Sequence, residues 1–525
     1  MTISQKSSTH LRSLLFFSAL TLSTFVQAYS SFTRGDLATK ALPNTPAAWS
    51  AAAQNDIRTA YQETYDNHPG VYDAKNPKFR KNLQRAKQRG LALAVKVTNA
   101  AGYKAAIERF NVSLQDGHAG AYTNLTEKDL PPLRWPGFIT VWRGDSLYVY
   151  GSEAGGPEVG AKVLSCDGIK TRDLVMKNLF AFRGIASEPG AWWVLPRAIF
   201  YDVGNPFITL PKRCQFAYEG RTFSQNLQWQ STNDNFNKWR EASYNGDELA
   251  VGMTEPRPGL FWVAMPSFQA NEKERDAYRK MTADVETHRQ RYLDSDAVVI
   301  DLRHNQGGSS TWSKQFARAL WGNERVDRRL QAFAQKQEVW WRSSKANTAY
   351  LADMVDTLQQ EKQVEAVAEF SKVYTGMQQA LARGDTYYVK AQEAEKEVVK
   401  ATRLTPEEAK RDLAGDPQAF NKPVYVIVPG QCASACLDAL DVFTRFENTK
   451  LIGAPSSADS TYMEVRQKVL PSGLATVIIP NKMYVNRPRG AGAFYTPTIS
   501  VTDINWSSAT FLKVIENDLS GKKAR

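Results

Sequence analysis

Two short apolar runs constrain the fold of this 525-residue chain most strongly. They are Ala297–Asp301 (AVVID) and Val424–Val428 (VYVIV), and neither alternates between apolar and polar residues. A strand with one face in water alternates, so an unbroken apolar run predicts a strand that is buried on both faces. Each run precedes a stretch with helical spacing of apolar residues, at 313–321 and 437–446. Strand and helix in alternation predict a mostly parallel α/β sheet with helices on its faces.

The same alternation continues on both sides of these runs. We predict a strand at 260–265 and a helix at 272–293 before them. We predict a third strand at 451–453 and a fourth at 474–479 after them. The α/β core is therefore assigned to residues 246–321 and 422–525.

Three other segments differ from this core in pattern. Residues 29–130 carry helical spacing at 47–65 and 82–110, which predicts an N-terminal helical region. Residues 131–245 contain short β-type runs between glycine-rich breaks, which predicts a small β domain. Residues 322–421 are rich in Ala, Gln, Glu and Lys, which predicts a helical subdomain inserted into the core.

The first 28 residues have the pattern of a secretory signal peptide. Lys6 and Arg12 precede an apolar stretch at 14–26 that is too short to span a bilayer, and Val26-Gln27-Ala28 is a small-residue cleavage site. We therefore expect cleavage after Ala28 and a periplasmic or secreted protein. The rest of the sequence has no run of 18 consecutive apolar residues, so we expect no stable membrane insertion.

The formal net charge of +12 raises the question of a nucleic-acid partner. The basic residues are mixed with Glu and Asp along helical stretches and form no cluster or nucleic-acid motif, so we expect no nucleic-acid binding.

The chain has four cysteines, which permits two disulfides in an exported protein. Their spacing suggests Cys166 with Cys214 and Cys432 with Cys436, although sequence alone does not fix the pairing. We predict no metal site, because the chain has neither a C-x-x-C motif nor a His/Cys cluster.

A candidate nucleophile stands between the second buried strand and its helix. Ser434, in residues 429–436 (PGQCASAC), would lie at the carboxyl end of a parallel strand, where α/β proteins place their sites. The N–H group of Ala435, at the helix N-terminus, could stabilise an oxyanion. The alternative is that Ser434 only caps the helix.

A second motif follows the first buried strand. Residues 301–308 (DLRHNQGG) end in Gly307 and Gly308, which let the backbone approach a ligand closely. An N–H of one of these glycines together with that of Ala435 would form a two-donor oxyanion hole.

These two motifs resemble those of the carboxyl-terminal processing (tail-specific) serine protease family. The matching positions are Asp301, Leu302, Arg303, Asn305, Gly307 and Gly308 in the first motif and Ala433, Ser434 and Ala435 in the second. The resemblance implies a ClpP/crotonase-like core, an acyl-enzyme mechanism on Ser434, a peptide or protein substrate and no cofactor. Residues 160–168 (GAKVLSCDG) are similar to a turn of the family's PDZ domain, so the β domain is either a degenerate PDZ domain or a plain β module.

The family comparison also directs the search for a general base. Many relatives carry a catalytic lysine where this chain has Asp459, and a carboxylate cannot replace that amine. His118, in residues 114–120 (LQDGHAG), resembles the Asp-Gly-His turn of the branch with a Ser–His site. We therefore predict His118 as the base.

A third group should orient the imidazole. We predict Glu464 in this role, because it follows the third core strand, with Asp459 as the second choice. Arg487 and Arg489 are either surface residues or bind a carboxylate. Substrate-binding residues are not predicted.

Three alternatives remain open from the sequence. The chain could be a catalytically inactive peptide-binding protein on the same fold, a cysteine enzyme that uses Cys432 or Cys436, or a Ser–Lys enzyme that uses Lys468 or Lys482.

Overall fold

The computed structural model of the chain describes residues 42–390 and 419–521. The predicted signal peptide and part of the predicted insertion lie outside these residues. Within them, no helix is both long enough and apolar enough to cross a membrane.

The N-terminal region is helical, as predicted. It consists of α1 (Pro46–Asn67), α2 (Lys78–Ala94) and α3 (Ala100–Leu114), followed by the short strand β1 (Gly120–Thr123). The predicted helical stretch 82–110 is divided between α2 and α3. The division falls at Asn99, whose side chain accepts a hydrogen bond from the Gly102 N–H at 2.9 Å and caps the start of α3.

The β domain is built on an antiparallel sheet with the strand order β3-β4-β5-β7-β8. Cys166 and Cys214 lie opposite each other on β5 and β7 and form a disulfide. Whether this is a PDZ domain stays a prediction. Its elements are β2 (Arg134–Trp135), β3 (Phe138–Arg143), β4 (Ser146–Ser152), β5 (Lys162–Cys166), β6 (Ile169–Lys170), α4 (Thr171–Asn178), α5 (Pro189–Val194), β7 (Arg213–Tyr218), β8 (Arg221–Asn226), β9 (Gln230–Ser231) and α6 (Asp234–Asn245).

The remaining elements belong to the core, the insertion and a second sheet. In chain order they are β10 (Gly252–Arg257), β11 (Leu260–Ala264), α7 (Glu272–Thr287), α8 (Arg289–Leu293), β12 (Ala297–Asp301), α9 (Thr311–Trp321), α10 (Asn323–Ala334), β13 (Glu338–Arg342), α11 (Lys345–Gln360), α12 (Val364–Arg383), β14 (Tyr387–Lys390), β15 (Val424–Val428), α13 (Ala435–Phe443), β16 (Thr449–Gly453), β17 (Tyr462–Val469), β18 (Ala475–Val485), β19 (Ile499–Ser500) and α14 (Ser508–Leu519).

The core sheet has the strand order β10-β11-β12-β15-β16-β19, and all pairings except β10 with β11 are parallel. Alternate residues of β12 enter two different apolar clusters. Val298 and Ile300 pack with residues of α7, α9 and α13, whereas Val299 packs with residues of α14 on the other face. The prediction of a mostly parallel sheet with strands buried on both faces is confirmed.

The prediction that residues 474–479 form a fourth core strand is wrong. These residues belong to β18, in a second, antiparallel sheet with the order β1-β18-β13-β14 and with β17 also paired to β18. A tight turn joins β17 to β18, and Val477 and Ile479 pack against apolar residues of the N-terminal helices. The described part of the predicted insertion is mostly helical but adds β13 and β14 to this sheet. The second sheet thus joins the beginning, middle and end of the chain.

Helix α5 connects the β domain to the core. A Cβ atom on Gly190 would lie 2.4 Å from the carbonyl oxygens of both Gly430 and Ser456, so only glycine permits this approach. Ser457 Oγ donates a hydrogen bond to the Glu188 carboxylate at 3.4 Å. The start of α5 therefore lies directly on the loops that follow β15 and β16.

Replacing Gly190 with alanine should force these backbones apart. We expect Gly190→Ala to lower the free energy of unfolding by about 1–3 kcal/mol, as overpacking does elsewhere. Denaturant unfolding measures this effect. Gly252→Ala is the control, because a Cβ atom there would meet nothing within 4 Å. Equal destabilisation by both substitutions would contradict the contact.

The same interface should make stability depend on pH. Burial raises the pKa of Glu188 from 4.5 to about 7. Between these values the folded protein keeps a proton that the unfolded chain releases. Glu188 therefore contributes stability that is fully present below pH 4.5 and is lost as the pH rises through 7. We expect Glu188→Gln to raise the unfolding midpoint, relative to the unmodified protein, more at pH 8 than at pH 5. The exposed Glu248→Gln is the control, and the same difference at both pH values would rule out this role for Glu188.

Candidate active site

Ser434 occupies a strained position at the start of α13. Its φ of 54° and ψ of −125° are unusual for a residue with a side chain, and such conformations cost on the order of 1–3 kcal/mol. The serine is half-buried and makes no side-chain capping hydrogen bond to the helix. A capping role therefore does not account for Ser434, and strain of this kind is concentrated at functional sites.

The glycine turn after β12 lies directly against the Ser434 turn. Gly307 has a φ of 110°, and a Cβ atom there would lie 2.9 Å from Ser434 Cβ and 2.8 Å from the Ala433 carbonyl oxygen. Only a residue without a side chain permits this approach. The structure thus brings together the two motifs that sequence analysis singled out.

The N–H groups of the two glycines differ in what they bind. The Gly307 N–H donates to Asn305 Oδ1 at 2.8 Å. In the described part of the chain, neither the Gly308 N–H nor the Ala435 N–H makes a hydrogen bond. Ala435 directly follows Ser434, and Gly308 directly follows Gly307, whose backbone packs against Ser434, so these two N–H groups are available as donors to a ligand.

His118 lies in the turn between α3 and β1. Its backbone N–H donates to Asp116 Oδ1 at 2.9 Å, which fixes the turn. Its Nδ1 atom lies 3.1 Å from Asp459 Oδ1, in an ion-pair contact that is not well aligned for a hydrogen bond. The Asp459 side chain is only 4% exposed. The second-choice acid of the sequence analysis is therefore the one that contacts the imidazole.

A second histidine, His68, contacts the His118 turn through Asp116. His68 is fully buried, stacks on Phe79, and accepts a hydrogen bond from the Gly70 N–H at Nδ1, so its proton is on Nε2. That Nε2 lies 3.5 Å from Asp116 Oδ2. Burial lowers the pKa of His68. Sequence analysis did not connect His68 with the site.

Glu464, the first-choice acid, lies in a different environment. Its Oε2 atom accepts a hydrogen bond from Lys482 Nζ at 3.1 Å across β17 and β18, and both side chains are buried. Lys468 pairs with Glu63. Both lysines of the Ser–Lys alternative are therefore in ion pairs with glutamates.

Other candidates are also accounted for. Cys432 and Cys436 form a disulfide, so neither offers a thiol, and the described residues contain no free cysteine. His304 Nε2 lies 2.7 Å from the Asp247 carbonyl oxygen, and His288 Nδ1 lies 2.9 Å from Asp284 Oδ1.

Arg489 connects the Asp459 loop, which contacts His118, to α13, the helix that begins after Ser434. Its guanidinium contacts Asp438 Oδ1 at 2.7 Å, Asp441 Oδ2 at 3.1 Å and Asp459 Oδ2 at 3.3 Å, and the side chain is 3% exposed. These carboxylates raise the pKa of Arg489 despite its burial. Arg487 adds a contact of 2.8 Å to Asp438. Both arginines therefore bind carboxylates and are not surface residues.

The sequence held one signal for this cluster that the sequence analysis missed. Asp438 and Asp441 stand three residues apart on an otherwise apolar helix, so they share a face. Buried carboxylates need partners, and Arg487 and Arg489 are the cations that supply them. Asp438 also donates its backbone N–H to the Ser434 carbonyl oxygen at 3.1 Å, at the first turn of α13.

The chain is similar to known proteins both over part of its sequence and in its fold. Residues 260–491 match the model of peptidase family S41. The chain is similar to the crystal structure of mature CPAF, with 12% identity, a TM-score of 0.55, and coverage of 90% of this chain and 96% of that chain. It is also similar to mature CPAF complexed with lactacystin, with 11% identity, a TM-score of 0.54, and coverage of 90% and 97%. No curated protein matches the chain in sequence. Residues 260–491 thus carry the sequence pattern of peptidase family S41, which supports a serine-type peptidase.

Proposed function

We propose that this chain is an exported serine endopeptidase or C-terminal processing protease that forms an acyl-enzyme on Ser434, with His118 as general base. The observation that carries the proposal is a continuous set of contacts. His118 contacts Asp459, Asp459 contacts Arg489, and Arg489 contacts Asp438 in the first turn after Ser434. The imidazole is thereby anchored to the helix that begins at the nucleophile.

The proposed reaction uses Ser434, His118 and two backbone N–H groups. His118 Nε2 takes the Ser434 Oγ proton while Oγ attacks the carbonyl carbon of the scissile peptide bond. The oxyanion is held by the N–H groups of Gly308 and Ala435, whereas that of Gly307 is already bound to Asn305. His118 then gives the proton to the leaving amine, and water hydrolyses the acyl ester by the reverse sequence.

Asp459 is proposed as the third member in place of Glu464. An acid on Nδ1 keeps the proton on that nitrogen and leaves Nε2 free to accept the serine proton. The contact of 3.1 Å is poorly aligned, and catalytic hydrogen bonds often tighten only when substrate binds.

A catalytically inactive peptide-binding protein is the second candidate. It is favoured by Asp459 at the position where many relatives have lysine. Covalent labelling by a fluorophosphonate separates the two candidates, because only an activated serine reacts.

We expect Ser434→Ala and His118→Ala each to lower kcat by about 10³-fold or more, as removal of a triad member does elsewhere. Peptide hydrolysis measures the loss, and circular dichroism checks that the fold is kept. His288→Ala is the matched control, because that ring is half-exposed. Undiminished hydrolysis by Ser434→Ala would exclude the assignment.

The two acids can be distinguished directly. We expect Asp459→Asn to lower kcat by about 10³-fold or more, because a carboxamide N–H facing Nδ1 favours the wrong tautomer. Glu464→Gln should weaken the buried pair with Lys482 and lower stability, with kcat per folded molecule nearly unchanged. The reverse ranking of kcat would return the role to Glu464.

A further inference from the structure

The conformation of Ser434 has to be maintained by its surroundings. A residue with a side chain at a φ of 54° and a ψ of −125° keeps that conformation only where neighbouring structure leaves no alternative. The same turn sets the direction in which the Ala435 N–H group points. Any relaxation of the turn would therefore move the nucleophile and an oxyanion donor together.

The Cys432–Cys436 disulfide, called the bracket below, spans this turn. Cys432 and Cys436 stand two residues before and two residues after Ser434, with their Cα atoms 5.2 Å apart, and both are completely buried. Two backbone hydrogen bonds restrain the same turn in addition to the disulfide. The Cys432 N–H donates to the Pro429 carbonyl oxygen at 3.1 Å, and the Cys436 N–H donates to the Ala433 carbonyl oxygen at 3.0 Å.

The two disulfides of the chain differ greatly in the length of chain that they close. The sequence separation is 4 for Cys432–Cys436 and 48 for Cys166–Cys214. In the loop-entropy account, a short loop restricts the unfolded chain less than a long one, so the bracket contributes less to global stability. Its local effect, in contrast, falls entirely on residues 433–435.

We propose that Cys432 and Cys436 are positioning residues for catalysis, whose disulfide holds Ser434 Oγ and the Ala435 N–H in the orientation that the reaction needs. This inference rests on the proposed function of Ser434. It assigns to the bracket an effect on the rate of acylation that exceeds its effect on stability.

The test compares two double variants, Cys432→Ser/Cys436→Ser and Cys166→Ser/Cys214→Ser, with the unmodified protein. A fluorophosphonate titrates the reactive sites, so kcat is expressed per reactive site and unfolded molecules do not count. For the bracket variant we expect kcat to fall about 100-fold, the scale of a reacting group misplaced by about 1 Å, with KM nearly unchanged. For the β-domain variant we expect an unchanged kcat per site and a larger fall in the unfolding midpoint.

An unchanged kcat per site in the bracket variant, or equal loss in both variants, would overturn the positioning role. If the serine pair folds poorly, Cys432→Ala/Cys436→Ala provides the same comparison without a polar group in the core. Failure of the unmodified protein to react with the fluorophosphonate would overturn the proposed function and this inference together. Reaction at Ser434 with equal kcat values would overturn this inference alone.

Discussion

The contact between Arg489 and three aspartates, of which Asp441 and Asp459 are buried and Asp438 is half-buried, is the interaction on which the candidate site depends. Asp438 and Asp441 lie on the helix that begins after Ser434, and Asp459 lies in the loop between β16 and β17. The three negative charges repel one another and would push these elements apart. The positive charge of the Arg489 guanidinium attracts all three and holds the elements together. Removal of one partner from a buried ion pair typically costs about 3–5 kcal/mol, because the other charges remain buried. Arg489 therefore links α13, which begins after Ser434, to the loop that contacts His118.

The second sheet brings the His118 turn next to the Asp459 loop. Its strand β1 follows the His118 turn, and its strand β17 follows Asp459, so both loops emerge beside β18. The parallel core alone would supply Ser434 and the glycine turn but no base. The His118 turn, from early in the chain, lies against the Asp459 loop because the N-terminal helices and β18 share one apolar cluster.

Much of the core could be predicted because its signals are local. An unbroken apolar run marks β12 and β15, and a Gly-Gly pair after one run or a serine after the other needs no knowledge of distant contacts. The carboxylate that contacts His118 was harder to predict because this contact depends on where two loops meet. Glu464 follows the third core strand just as Asp459 does, but it lies on β17, where its side chain faces Lys482 on β18. Residues 474–479 were assigned to the core for a similar reason: their apolar pattern fits a buried strand in either sheet, and only pairing with β17 decides between them.

The most direct test is a crystal structure of the protein after reaction with a fluorophosphonate. The account predicts a phosphonyl group on Ser434 Oγ, its oxygen within about 3 Å of the Gly308 and Ala435 N–H groups, and His118 Nε2 within hydrogen-bonding distance of the adduct. An unmodified Ser434, or an adduct with the His118 ring directed away from it and Asp459 detached from Nδ1, would contradict the account.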